Sequence, residues 1–235
     1  MKLSKEDIIF KQQIHPLFSS PVYTANAAYY ENDVIDFDNI PMDEFYKEQV
    51  HPDLGDVGLQ LISKNQNILL DKKYTAIKKL CDDAVHYYAY DNIKMSRHIK
   101  CSLTSSWMIV GYPGAKTNKH LHQNSVFSGI FYLKSGEDSG KLILSHPLML
   151  PTVFSSTVTP QLDEYNMLNS KINVFSPKTN DIFIFPSHIP HEVSKNTSGE
   201  MRACIAFNYF LEGEISNDNT EKLHLQLANQ YHTAI

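Results

Sequence analysis

Two textures of apolar and polar positions divide the chain. Between residues 65 and 90, Leu70, Tyr74, Ile77, Cys81, Val85 and Tyr88 recur at spacings of three and four. That is the stripe of an amphipathic helix with one buried face. A weaker pattern of the same period after Pro41 predicts a second helix around 42–50. Both read as supports packed on a sheet. From about Cys101 to Phe210 the chain turns to short runs rich in β-branched and aromatic residues, over 106–112, 125–133, 141–145, 173–176, 181–185, 191–194 and 201–210. Such runs predict strands, and turn-forming clusters at Pro113-Gly114, 136–140 and 196–199 punctuate them. Many short strands at this spacing predict a mainly β fold with flanking helices, closed as a sandwich, barrel or jelly roll. The stretch 147–171 follows neither period; long irregular segments in compact domains are commonly functional, which makes it a candidate lid. Beyond Glu212, Leu223, Leu225 and Leu227 alternate as in a strand, although the surrounding composition also tolerates a helix.

Composition narrows the classes. A chain of 235 residues, 42% hydrophobic and 20% charged, can bury one sizeable core. A single domain over 1–235 is expected, with support and leading strands over 1–100, a catalytic core over 101–212 and a tail over 213–235. A net charge of −5 gives no support for a nucleic-acid partner or an anionic membrane. No apolar stretch approaches the ~18 residues of a membrane span, and the first residues lack the apolar run of a signal peptide. Cys81, Cys101 and Cys204 are too few and too far apart for a disulfide framework or a CxxC metal site, so a reducing cytoplasm is expected. The sequon at Asn196-Thr197-Ser198 then reads as a turn. Nothing in the sequence sets the oligomeric state.

Histidine carries the candidate chemistry. His15, His51, His86, His98, His146, His224 and His232 stand alone and read as surface or satisfied core residues. Two segments differ: His120-Leu121-His122, directly before a strand, and His188-Ile189-Pro190-His191, between two strands. On extended backbone the side chains of positions 120 and 122 share a face and can share a metal ion. HxH alone also arises by coincidence on a surface. Continuing the alternation puts Ser128 and Tyr132 on the cavity side, with Phe127, Phe131 and Leu133 facing the helices. A third imidazole can come from His188 or His191. In 201–210, alternation puts Arg202, Cys204, Ala206 and Asn208 on one face and Met201, Ile205, Phe207 and Tyr209 on the other. The second set reads as core. The first is small except for an arginine, whose planar fork suits a carboxylate when buried.

These residues resemble a family. Ser106-Trp107 through Gly114, His120-Leu121-His122 and Ser128-Gly129-Ile130-Phe131-Tyr132-Leu133, then Phe185-Pro186-Ser187, His191, Arg202 and Phe207-Asn208, are similar to the Fe(II)/2-oxoglutarate oxygenases with an HxH motif followed by SGxYY, a group common in marine phages and bacteria. Leu17 to Tyr23 is similar to its N-terminal signature. The resemblance implies a double-stranded β-helix, a jelly-roll or cupin-like core with N-terminal helices. It implies Fe(II), 2-oxoglutarate and O2, with succinate and CO2 released as a substrate C–H bond is hydroxylated. It assigns His120 and His191 as iron ligands, Arg202 to the far carboxylate of 2-oxoglutarate, and Tyr132, Ser128 and Asn208 to the same pocket. His188 falls to the cavity rim. The wider superfamily has a carboxylate where this chain has His122. His122 is then a third ligand, or it only hydrogen-bonds metal-bound water. The implied substrate is a small molecule or a protein side chain. Two rivals stand beside this reading: a three-His dioxygenase that uses no 2-oxoglutarate, and a jelly-roll binding module without catalysis.

Overall fold

A computed structural model describes residues 14, 19–27, 42–47, 58–147, 158, 160–215 and 222–228. Twelve strands are described, β1 (Tyr23–Asn26), β2 (Phe45–Lys47), β3 (Gln60–Ser63), β4 (Lys100–Gly111), β5 (Thr117–His120), β6 (Phe127–Lys134), β7 (Leu142–Ser145), β8 (Ile172–Phe175), β9 (Asp181–Pro186), β10 (His191–Val193), β11 (Arg202–Ile215) and β12 (Leu223–Leu225). They form two sheets. The larger runs β1-β9-β6-β11-β4-β3-β2, with β12 paired to the end of β11, and the smaller runs β5-β10-β7-β8. All ladders between these strands are antiparallel.

Alternation along the central strands separates two cores. Phe131 and Leu133 of β6, and Ile205, Phe207 and Tyr209 of β11, face outward from the larger sheet. The helix α1 (Thr75–His86) covers them. It buries Ile77, Cys81 and Val85 completely, and each large aliphatic side chain so buried contributes about 1.5–3 kcal/mol. Tyr209 donates its hydroxyl to Asp82 and ties β11 to that helix. Ile130 and Tyr132 of β6, Phe183 and Phe185 of β9 and Cys204 of β11 point the other way. They meet Leu142 and Leu144 of β7 and Val193 of β10 between the sheets.

The helical stripe is shorter as α-helix than its spacing predicts. Two 3-10 turns, Ile68–Leu70 and Lys72–Tyr74, precede α1, and Tyr87–Asn92 continues it as a π-helix that still buries Tyr88. The helix predicted around 42–50 is not formed in its described part. Met42–Glu44 is a single 3-10 turn, and Phe45–Lys47 pairs with Leu61–Ser63. A three-and-four spacing over so few residues did not outweigh strand pairing that buries Phe45; residues 48–50 lie outside the described residues. The tail settles as strand β12 against Gly213–Ile215. Of the candidate lid, residues 148–157 and 159 lie outside the described residues, as do Leu17 and Phe18 of the N-terminal signature. All three cysteines are free and buried, and among the described residues no helix is long and apolar enough to cross a membrane.

Gly129 shows why a glycine stands within the SGxYY-like run. It lies opposite Phe207 on β11, and a Cβ there would meet the Phe207 ring at 2.2 Å and the Phe183 carbonyl oxygen at 2.9 Å. Gly129→Ala must push an aromatic ring out of a filled core, a change that costs about 1–3 kcal/mol. Urea unfolding should report that loss as a lower midpoint; an unchanged midpoint would mean that the ring moves aside freely.

Candidate functional site

Strand pairing places two of the three imidazoles. His120 ends β5 and His191 begins β10, and the two are direct cross-strand partners, with ring centroids 4.3 Å apart. His122 arrives by another route than the one alternation predicts. The extended geometry stops after His120; the chain leaves the sheet through 121–126, with Asn124 at φ +55°, and resumes at Phe127. The loop is held where His122 donates its backbone N–H to Ser187 O, at 3.1 Å, and Ser187 donates to Val126 O, at 3.0 Å. His122 then lies 5.2 Å from His120 and 4.9 Å from His191 between ring centroids. One ligand atom from each of the three lies within 4.8 Å of the other two.

Hydrogen bonds decide which nitrogens face inward. His120 Nδ1 lies 2.8 Å from Asn118 O, and His191 Nδ1 lies 3.0 Å from Ile189 O, in each case the carbonyl two residues before. A carbonyl only accepts, so both rings carry their proton on Nδ1 and present the Nε2 lone pair. His122 Nδ1 lies 2.6 Å from Asn208 Oδ1, which gives the same tautomer. The Nε2 atoms of His120 and His122 are then two acceptors only 3.2 Å apart. That contact is repulsive until a cation lies between them. Burial, with the neighbouring histidines, lowers the pKa of His191 to about 3, and burial chiefly lowers that of His122. Both stay neutral at physiological pH, the form that ligates a metal. His191 is 3% exposed and packs against Phe185, whereas His120 is the most open of the three.

Arg202 and Tyr132 lie further along β11 and β6, beyond Asn208 and Ser128. Arg202 is 1% exposed, and its guanidinium lies between Gly111 and Gly140. A Cβ at Gly140 would meet Nη1 at 2.4 Å, and one at Gly111 would meet Nη2 at 3.3 Å. Nη1 donates to Ser139 O at 2.9 Å, and among the described residues no carboxylate pairs with it. A buried guanidinium without an anion is costly unless a ligand supplies one. Beside it the hydroxyl of Tyr132 is buried without a hydrogen-bond partner, and burial raises its pKa well above the ordinary value, so it remains a donor. Val193 Cγ1 packs against the same side of Gly140. It lies two strand positions from His191 on β10. The orphaned donor, the unpaired cation and the converging lone pairs thus fit a divalent metal with a dianionic chelator.

The remaining predicted residues divide. Ser128 and Asn208 lie at the His122 end, hydrogen-bonded to His122 and to each other. His188 is exposed and stands outside the cluster. Sequence reasoning missed the carbonyl partners of His120 and His191, the glycine cradle and the Ser125–Ser187 hydrogen bond. Only Gly140, in a turn cluster, offered any signal. A separate groove of about 700 Å3 lies on the helix side, near Lys78, Asp82, Lys100 and Glu212. Lys78 pairs with Asp82 there, and Lys100 with Glu212.

The low pKa of His191 has a consequence for stability. Unfolded, the ring takes up a proton near its ordinary value of 6.5; folded, only near 3. Between those values the unfolded state binds more protons, so the stability of the metal-free protein falls as pH falls through the window. Urea midpoints should decline from about pH 7 to about pH 5, with up to about 1.4 kcal/mol per pH unit attributable to this one proton. His191→Gln should flatten the slope; an equal slope in the variant would show that burial does not hold the ring neutral.

Residues 105–208 match the family described as "Putative 2OG-Fe(II) oxygenase". Among solved structures, the non-heme alpha-ketoglutarate-dependent carbocyclase SnoK from nogalamycin biosynthesis is similar with a TM-score of 0.54 at 11% identity, over 83% of this chain and 81% of that one. A Pseudomonas putida prolyl-4-hydroxylase is similar with a TM-score of 0.50 at 13% identity, over 81% of this chain and 92% of that one. No curated protein matches the sequence. The two solved structures share the double-stranded β-helix fold, and the three histidines, Tyr132 and Arg202 all lie within residues 105–208, the part of the chain that is similar to the 2OG-Fe(II) oxygenase family.

Proposed function

We propose that Nε2 of His120, His122 and His191 holds Fe(II), that Arg202 and Tyr132 hold the far carboxylate of 2-oxoglutarate, and that the enzyme hydroxylates a C–H bond of a small molecule or a protein side chain. One observation carries this reading: a buried cation lacking an anion and imidazole lone pairs lacking a cation both stand against β10. Bound Fe(II) and 2-oxoglutarate, with O2, supply the oxidising chemistry, and succinate and CO2 leave as co-products. The chain's residues bind, orient and keep water out. Three neutral imidazoles leave the site one unit more positive than two imidazoles and a carboxylate, which favours a dianionic cosubstrate. Arg202 fixes one end of that dianion by charge and Tyr132 by a donated hydrogen bond. Ile130, Leu144 and Phe185 form apolar core between the sheets, with Phe185 packed on His191. A three-His dioxygenase without 2-oxoglutarate would leave Arg202 and Tyr132 buried and unmatched, and a binding module gives the converging lone pairs no purpose. The free cysteines are in keeping with action in the cytoplasm.

The deciding measurement is succinate release from 2-oxoglutarate, with and without Fe(II), against pooled metabolites and peptides. Fe(II)-dependent succinate supports the proposal; none under any condition refutes it. Arg202→Ala removes one partner of a buried charge pair, worth about 3–5 kcal/mol. It should therefore raise the 2-oxoglutarate requirement by orders of magnitude while iron stays bound. His122→Ala should lose iron as severely as His120→Ala, and His188→Ala should keep it. Full iron occupancy in His122→Ala would remove His122 from the ligand set.

A further inference from the structure

Asn208 faces the barrel interior one strand pairing away from Ser105 and Ser128. Its Oδ1 lies 2.6 Å from His122 Nδ1 and 2.8 Å from Ser128 Oγ, and its Nδ2 donates to Ser105 Oγ at 3.0 Å. Both ends of the amide are therefore engaged inside the protein, with the residue 8% exposed. Neither end is turned toward Arg202, six positions along the strand. Ser128 belongs to the same group: its hydroxyl also lies 2.8 Å from Ser187 Oγ, which lies 2.7 Å from Ser125 Oγ.

The two ends of an amide are chemically opposite, and so are the two tautomers of an imidazole. With Oδ1 toward the ring, Nδ1 must carry the proton, and Nε2 offers a lone pair to the metal. With the amide reversed, Nδ2 donates to a bare Nδ1, the proton moves to Nε2, and the ring turns an N–H toward its neighbours. His120 and His191 face no such choice, because backbone carbonyls cannot reverse. We infer that Asn208, steadied by Ser105 and Ser128, is the positioning residue that selects the metal-binding tautomer and orientation of His122. This deepens the proposed function and rests on its metal site. It separates Ser128 and Asn208 from the cosubstrate pocket, which leaves Arg202 and Tyr132 for 2-oxoglutarate. Metal binding and amide orientation are reciprocally linked, since each favours the state that the other requires.

Trp107, the only tryptophan in the chain, provides a readout independent of turnover. Its ring centroid lies 5.6 Å from that of His122, so Co(II) added to the metal-free protein should quench its fluorescence saturably. Loss of such an outer hydrogen-bond partner weakens metal binding by roughly 10- to 100-fold, and Asn208→Ala should show that loss. Asn208→Asp presents only acceptor oxygens, so only the metal-binding tautomer remains. It should bind Co(II) at least as tightly as the wild type, although the amide is gone. A side chain needed only to fill space would not give that rescue. Equal affinity in Asn208→Ala and wild type, or an Asp variant as weak as the Ala variant, overturns the inference. If Asn208→Ala does not fold, Ser105→Ala and Ser128→Ala carry the test: a several-fold loss is expected in each, and no loss in either overturns it. A wild type that shows no saturable quenching refutes the metal site itself, and this inference falls with it.

Discussion

Side-chain alternation along β11 is the constraint on which the rest of the molecule depends. One face of that strand must be apolar and bulky enough to seat α1, and Ile205, Phe207 and Tyr209 meet that need. The opposite face then receives Arg202, Cys204, Ala206 and Asn208, all within the barrel. Because the period is two, no residue can move to the other face without shifting the whole strand. The helix, remote from the chemistry, thereby fixes the register of the residues that surround it. Neighbouring strands repeat the division, with Ser128 and Tyr132 inward beside Asn208 and Cys204 and Phe131 outward beside Ile205.

Within the barrel the polar residues occupy two ends of an apolar interior. At one end three imidazoles, two of them held neutral by burial, converge; at the other a guanidinium lies against backbone. Each arrangement is unfavourable alone. Adjacent lone pairs repel, and a buried cation without a partner loses its hydration. His191 and Arg202 are buried away from water, whereas His120 is exposed to it.

Much of this was legible in the sequence because it follows from period alone. The stripe from Tyr74 to Tyr88, the inward set on β11 and the split of β6 all depend on spacing, and all stand in the structure. The strand boundaries shifted by a few residues, most at β4, which starts at Lys100, and at β11, which runs on to Ile215. What spacing could not reveal depends on backbone atoms and on tertiary neighbours. The carbonyls of Asn118 and Ile189 that orient two histidines carry no side-chain signature. The short turn at Met42–Glu44 looked helical because edge pairing with β3 is invisible from within the segment. The alternation argument also brought His120 and His122 together for an incomplete reason. They do meet, but through a loop with a left-handed residue rather than along one strand.

That loop explains how a third imidazole can stand in the site at all. Two histidines on adjacent strands, locked by ladder hydrogen bonds, have little freedom to adjust to a third ligand. A loop residue has that freedom, but it needs restraint from elsewhere, and here the restraint comes from Ser187 O on its backbone and Asn208 on its ring. A carboxylate in that place would have two equivalent oxygens and no tautomer to choose. Imidazole has a proton that must be kept off whichever nitrogen offers its lone pair, so a histidine with Nε2 turned to its neighbours requires an acceptor behind Nδ1. Asn208 on β11 is that acceptor, and its side is set by the same alternation that seats the helix.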